Sequence, residues 1–459
     1  MTTKTAQNAP LRRILGAPTA LLIGMGVSIG SGIFRTPGEV AGALPSPTWI
    51  VLAWSAGGLI VLMQGMVTAE LATRFPRAGG EYVFLREAYG PFVAFFFGWA
   101  YTFFVIGGGA AAIARGMGDF AGEWLRIDPF WSGPIAALAI VGVTVVNALG
   151  LRAGAGVQNG LTIAKIAALL VIVGVGAAAP GAAPIGSAAG ATADATATDP
   201  VVATTLGPGV FLAALLPILW SYDGTTDSVK MAEEIRDVRR ALPRALILSA
   251  LVLTVIYGAV NVALLRVVPI GEMAGHPFVA GMALERRFGP TGRSVMLAVA
   301  IMVCLGSLSS TVLATIRVTF AMARDGLAFR FLARMSPGQA PVPALIVVGG
   351  FAIVLSMFHG FMRVLGIYFF ASAILFGLSY ASLIVFRLRE AAFPDHAYRC
   401  PFGIAMAGVL IVVQIAIAAH IALRSPIDAA CTTLLLALFG AFYFVWVRFS
   451  RDPAGHRTE

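Results

Sequence analysis

The sequence predicts an all-α integral membrane protein with twelve transmembrane helices, the first and sixth of them discontinuous. Three observations predict it. Of 459 residues, 58% are hydrophobic and only 12% charged, against about 25% charged in soluble domains. The apolar residues gather into runs of the length a bilayer core demands, about 20 residues each. The positive charge is also lopsided. With the N-terminus placed inside, twenty-one lysines and arginines fall in inside segments and eight in outside ones, the pattern of the positive-inside rule. The net charge of +10 is therefore mostly topology, and no basic cluster with interleaved aromatics points to nucleic acid.

The elements follow in chain order. "MTTKTAQNAPLRRILGAP" is polar and basic, with no small-residue cleavage site behind a short apolar core. The first span is therefore expected to be retained. That span, 17–44, holds Gly24, Gly26, Gly30 and Gly32 with Ser28 and Ser31 at its middle. A glycine inside a helix costs roughly 1 kcal/mol relative to alanine, so four of them mark either a break or close helix packing. Spans 47–73 and 91–117 follow. Between them, "GEYVFLREAYG" (80–90) has apolar residues at helical spacing among charges and is expected to lie along the inner interface. Spans 131–150 and 157–178 come next, the latter with Lys165 at mid-span.

Residues 176–209 are rich in Ala, Gly, Thr and Pro and carry no positive charge, as an external loop does. The sixth span, 207–231, is apolar from Phe211 to Trp220 and then gives way to "SYDGTTD". Spans 242–267 and 292–323 enclose an external connection at 271–291, expected to be partly helical. The last four spans are 343–358, 362–386, 402–423 and 427–448. Short connections leave the counts in 343–386 and 402–448 open.

The loop sets the first five spans apart, so each half opens on a broken span. Unwound backbone in lipid leaves N–H and C=O groups unpaired and is tolerated only where it lines a cavity or is buried in protein. Paired interruptions of this kind point to a transporter site between inverted repeats. The outer half of the first span begins near Gly32, its free N–H groups aimed at the midplane as an anion site. The sixth span runs inward and leaves orphan carbonyls near Trp220, a partial negative charge. A zwitterionic α-amino acid satisfies both ends at once. Packing alone remains the alternative for the glycines.

"GVSIGSGIFRTPGEV" resembles the first-helix signature of the amino acid–polyamine–organocation superfamily. "AELATRFPRAGGEYVFLREAYG", "SYDGTTDSVKMAEEIRDVRRALPRALILS" and "IRVTFAMARDGLAFRFLARM" are similar to its second-helix, sixth-to-seventh-helix and eighth-helix regions. The likeness is to the L-type amino acid transporter branch and covers roughly residues 15–403. It implies one polytopic domain: a first inverted repeat at 15–178, a second at 207–387, and two peripheral helices at 402–449. It also implies a leucine-transporter-like 5+5 fold, alternating access and secondary transport of amino acids.

By that resemblance, the backbone and hydroxyls of Ser28, Ile29, Gly30, Ser31, Gly32 and Ile33 hold the substrate carboxylate. Trp220, Ser221, Tyr222, Asp223, Gly224 and Thr225 surround its amine and side chain, with Trp220 closing over it or else simply packing. Lys165 matches the lysine that fills a sodium position of related carriers. An intramembrane lysine is costly and a functional candidate by default; whether it tethers helices or carries a proton is open. In this branch an acid before the glycine of the break accompanies cationic substrates, so Asp223 extends the expectation from neutral L-amino acids to cationic ones. Helix capping or pairing with a nearby donor is its alternative. Glu70, Arg74, Glu233, Glu234, Arg244, Arg324 and Asp325 are expected to form an inner ionic latch, with a solvated face as the alternative. Arg35 and Glu39, four apart, are expected to pair with each other; Arg35 gating the site or attracting acidic substrates is the alternative.

The sequence departs from the family in two places. Thr225 stands where tryptophan is usual, and "RDVRR" where Asn-Pro follows the paired glutamates. In family members that bind a disulfide-linked partner, a cysteine lies in the external loop after the third span; residues 118–130 contain none, so the resemblance implies no such subunit. The three cysteines and five scattered histidines show no metal-ligand spacing, and no catalytic constellation or cofactor motif is present. Both termini are expected on the cytoplasmic side of the cell membrane. A polyamine or other organocation carrier is the neighbouring alternative; a channel or a structural membrane protein is the alternative of another class. An exchanger or a proton-coupled symporter is expected; the sequence does not separate these from each other or from uniport, nor does it give the oligomeric state.

Overall fold

The computed structural model describes residues 11–44, 46–179, 207–358, 361–390, 393–394 and 397–450. Most of the low-complexity loop (180–206) lies outside them. Among the described residues, nine helices are long and apolar enough to cross a bilayer, ten if one bent pair counts as a single span. That pair is α1 (Ala17–Ser28) and α2 (Gly32–Ala43), which meet at 47°. Then come α3 (Pro47–Arg74) and the short α4 (Glu81–Tyr89), which is too short to cross, as its charges foretold. The next span runs from Pro91 to Leu125 as α5 (Pro91–Ala100), a π-helical stretch Tyr101–Gly107 and α6 (Gly108–Leu125). Helices α7 (Ser132–Ala148) and α8 (Leu151–Ala177) follow.

The second half opens with α9 (Pro208–Tyr222), a turn and a 3-10 stretch, Asp227–Glu234. It continues through α10 (Val238–Val267), α11 (Val279–Arg324), α12 (Val342–Phe358) and α13 (Phe361–Arg389). Helices α14 (Gly403–Arg424) and α15 (Pro426–Ser450) end the described chain. Helix α11 is kinked at Gly289, whose φ of +66° suits glycine before Pro290.

The count falls short of twelve for two identifiable reasons. The apolar part of α12, Val342–Met357, is shorter than a full crossing. Helix α9 stops after 15 residues. Nor does the sixth span break as expected. Ser221 and Tyr222 remain helical, and the half beyond the turn is a 3-10 stretch instead of an α-helix. Its sequence, "DSVKMAEE", is polar, and its Lys230 is fully buried between Asp227 and Glu81. Satisfying that ammonium holds the backbone in a compact turn.

The bundle wraps around α1, α2, the π-helical span and α11. The apolar window of Pro91–Leu125 is 78% buried, that of α15 only 11%, which puts α15 at the lipid-facing rim. One end of the bundle carries residues 11–15, the 75–80 turn, the 3-10 stretch and the C-termini of α11 and α13. We call it the arginine-rich end; the charge count predicts it to be cytoplasmic. There the N-terminal arm lies on the 3-10 stretch. Ile14 and Leu15 donate to Glu234 O, and Arg236 N–H donates back to Leu15 O at 2.8 Å.

Candidate functional site

The break after α1 leaves carbonyls without intrahelical partners, and three other helices supply donors for them. Lys165 Nζ of α8 donates to Gly26 O at 2.8 Å. Ser307 Oγ of α11 donates to Val27 O at 2.6 Å, and the Tyr257 hydroxyl of α10 to Ser28 O at 3.1 Å. The C-terminal end of α1 is thus satisfied by protein. The N-terminal end of α2 is different: Ser31 occupies its N-cap position and its side chain makes no capping hydrogen bond. The uncapped start of α2 presents backbone N–H groups at this break, which favour an anion.

The second break is joined to the first. Ser28 Oγ lies 2.9 Å from Thr225 Oγ1 and donates to Tyr222 O at 3.2 Å. Thr225 Oγ1 also donates to Tyr222 O at 2.6 Å. Gly224, at φ +88°, turns the chain where a Cβ would run into the Val27 side chain. Gly32 packs as tightly: a Cβ there would lie 2.7 Å from Ser221 Oγ and 2.8 Å from its Cα. The sequence offered break or packing as alternatives for these glycines, and the geometry requires both.

Between the breaks lies a narrow cavity of about 30 Å³, room for water but not for an amino acid. Ser28, Gly30, Ser31 and Gly32 line one wall, and Trp220 and Asp223 another. Ser307, Thr311, Tyr101 and Tyr368 complete it. Two hydroxyls at its edge, Ser31 Oγ and Thr311 Oγ1, are buried with no hydrogen-bond partner among the described residues. Such orphaned groups are rare in native interiors and call for an explanation. Trp220 packs edge-on against Tyr368, ring centres 5.1 Å apart, and Asp223 accepts a hydrogen bond from the Tyr368 hydroxyl.

Not every expected residue reaches this cavity. Ile29 and Ile33 are fully buried in the apolar core. The Ser221 hydroxyl turns to Thr36 Oγ1 at 3.0 Å. Tyr222, Gly224 and Thr225 border a second small cavity, which shares Asp223 and Tyr368 with the first. Asp223 caps no helix: Thr226 is the residue that precedes the 3-10 stretch, and the carboxylate goes to Tyr368. The pairing half of its alternative is what the structure has. Lys165 stands behind α1, its Cε beneath Gly306 of α11, where a Cβ would come within 2.7 Å. It bridges α8, α1 and α11.

The charged residues form separate clusters instead of one latch. Glu233 accepts both arms of Arg324 at 3.0 and 2.9 Å, plus the N–H groups of Leu11 and Ala78, each at 3.1 Å. Burial alone raises its pKa, but Arg324 and the two N–H groups outweigh that and hold the carboxyl below the usual range. Glu234 pairs with buried Arg317 at 2.9 Å, and Arg244, expected among them, is exposed with no ion pair among the described residues. Glu70 holds Arg74 at 2.9 Å, Arg387 at 3.0 Å and the N–H of Cys400 at 2.7 Å. Asp325 receives Arg86 and the Tyr82 hydroxyl.

At the opposite end, Arg35 lies within electrostatic reach of Glu39, its expected partner, and has a second acid as well. It reaches Asp119 of α6 at 2.7 Å, with Arg115 joining at 3.7 Å. Sequence reasoning missed Tyr368, Ser307, Arg317, Arg387 and Asp119. Arg317 and Lys230, charged residues in or beside apolar runs, carried a readable signal; Tyr368 carried none.

A model of the amino acid permease family matches residues 15–443. The chain is 27% identical over 452 residues to the b(0,+)-type amino acid transporter 1 of Mus musculus, spanning 96% of this chain and 89% of that relative. It is 28% identical to the Homo sapiens protein of the same name over 451 residues, with the same two shares, 96% and 89%. It is 30% identical to the serine/threonine exchanger SteT of Bacillus subtilis over 327 residues, 68% of each chain.

Proposed function

The chain belongs to the amino acid permease family, and from that premise we propose a secondary carrier that moves L-amino acids across the cell membrane by alternating access. The α-carboxylate binds at the N-terminal end of α2, to backbone N–H groups around Ser31 and Gly32 and to the Ser31 hydroxyl. The α-ammonium binds opposite, at the C-terminal end of α9 beside Trp220 and Asp223. The observation that carries this reading is the orphaned, buried Ser31 hydroxyl at the uncapped start of α2. It is a donor without an acceptor, beside a helix end that favours negative charge.

The small volume of the cavity means that its walls must part before an amino acid enters. Ion networks lie toward both ends, Arg35–Asp119 on one side and Glu233–Arg324 on the other. Opening one while the other holds is the motion this arrangement calls for. We place both termini in the cytoplasm and take neutral L-amino acids as the core substrates, with cationic ones admitted through Asp223. The inverted repeats and a twelve-span topology belong to the same reading, as does function without a disulfide-linked subunit.

Exchange is the mode we favour. Proton coupling is the second reading. It rests on Lys165, which is fully buried on a backbone carbonyl, with no ion pair to an acid among the described residues. Uptake into proteoliposomes of a panel of labelled L-amino acids decides between them. Exchange predicts uptake that depends on internal amino acid and ignores a pH gradient. Proton coupling predicts uptake into empty vesicles driven by that gradient. Uptake that is neither saturable nor stimulated from inside contradicts both.

A further inference from the structure

The arginine-rich end carries a second, larger concavity, a groove of about 930 Å³ far from the site between the breaks. It runs along one face of α10. Arg240 and Arg244 stand at its polar end, and Ile247, Leu248 and Leu251 continue the same face toward the bundle's middle. The positions 240, 244, 247, 248 and 251 share one helix face by their spacing. Arg239 adds a third guanidinium at the mouth. All three arginines are exposed and make no ion pair among the described residues, and the single acid in the lining is Asp237. Leu248 and Leu251 are about half exposed, 48% and 45%. The groove is therefore cationic at the membrane surface and apolar below it, on one continuous wall.

We propose that this groove binds an anionic phospholipid, its phosphodiester on Arg239, Arg240 and Arg244 and an acyl chain along Ile247, Leu248 and Leu251. A free phosphate would use the arginines and leave the apolar wall uncovered; a zwitterionic lipid would cover the wall and leave the charge excess unmet. Basic pockets beside membrane helices at the cytoplasmic side favour anionic headgroups for this reason. The opposite wall gives the site a consequence. It is formed by Ala397 and Tyr398. Tyr398 N–H donates to Thr73 Oγ1 at 2.9 Å, and the adjoining Cys400 N–H to Glu70. A lipid bridging α10 to this wall braces the segment that holds the Glu70 cluster together.

The test is native mass spectrometry of the full-length protein in micelles doped with equal phosphatidylglycerol and phosphatidylcholine, together with its melting temperature in each lipid. The wild type is expected to retain phosphatidylglycerol preferentially and to melt higher with it. Each arginine replaced by glutamine is expected to lower that affinity roughly fivefold. Arg244→Gln alone reads the effect if the Arg239→Gln/Arg240→Gln/Arg244→Gln variant fails to fold. Leu248→Asp should weaken binding as well. Equal retention of both lipids by the wild type overturns the proposal. So does an undiminished preference in a folded arginine variant, or displacement of the lipid by millimolar inorganic phosphate.

Discussion

Ser31 and Asp223 both line the cavity, Ser31 with a buried hydroxyl that has no partner among the described residues and Asp223 with a carboxylate that accepts from Tyr368. The Ser31 hydroxyl lacks an acceptor. A hydrogen bond to a charged partner contributes about 1.5–3 kcal/mol, so Ser31→Ala should raise the KM for L-amino acids roughly ten- to hundredfold. Inhibition by decarboxylated amines should not change with it. An unaltered KM in uptake assays would return Ser31 to packing. Asp223→Asn keeps size and shape, and Tyr368 still has an oxygen to bond. It should lose arginine and lysine uptake and spare leucine and alanine, because an unpaired ammonium at mid-membrane costs about 2.5 kcal/mol or more. Loss of all substrates together would mean that the carboxylate serves the α-ammonium alone.

At the scale of elements, the two broken helices touch through glycines, and the geometry separates those that can accept a methyl group from those that cannot. Gly32→Ala drives Cβ into Ser221 and Trp220, so transport should fall steeply and the melting temperature with it. Gly258, inside α10, has open space around its missing Cβ, and Gly258→Ala should stabilise by roughly 0.5–1 kcal/mol. Equal melting shifts for the two variants would contradict the packing described here.

Glu233 joins the N-terminal arm, the 75–80 turn and α11. Its carboxyl is held below the usual range in the folded protein, so its contribution is present above the ordinary carboxylate pKa, about 4.3. That contribution is lost as pH falls through the lower, folded value. Acid-induced exposure of a cysteine introduced near Leu11 should therefore begin only below about pH 4. Glu233→Gln, which removes the carboxylate hydrogen-bonded to both arms of Arg324, should abolish that step.

The two breaks were legible because their cause is local. Gly30, Ser31 and Gly32 cannot hold a helix well, and neither can Asp223-Gly224-Thr225. The exact end of α9 was not legible, since Ser221 and Tyr222 remain helical once Ser221 finds Thr36 and Tyr222 packs between Trp54 and Tyr257. The ion pairs were read worst. Arg317 meets Glu234 across 83 positions and Arg35 meets Asp119 across 84. No spacing in a single sequence encodes such partners, whereas a neighbour four positions away, as Glu39 is to Arg35, can be read from spacing alone.

At the scale of the whole molecule, two helix ends of opposite polarity face one cavity, and by the function proposed above they would recognise the two charges of an α-amino acid. That recognition requires the walls to part, since the present space admits only water. Ion clusters toward both ends supply contacts that can be exchanged during such a motion. The most direct measurement is competition in proteoliposomes. Uptake of a labelled L-amino acid is challenged by the same molecule lacking its carboxylate, by the same molecule lacking its ammonium, and by the intact amino acid. The account predicts saturable uptake that the intact amino acid inhibits and neither truncated analogue does at equal concentration. Inhibition by the decarboxylated amine as strong as by the amino acid would contradict it, for then the uncapped end of α2 plays no part in binding.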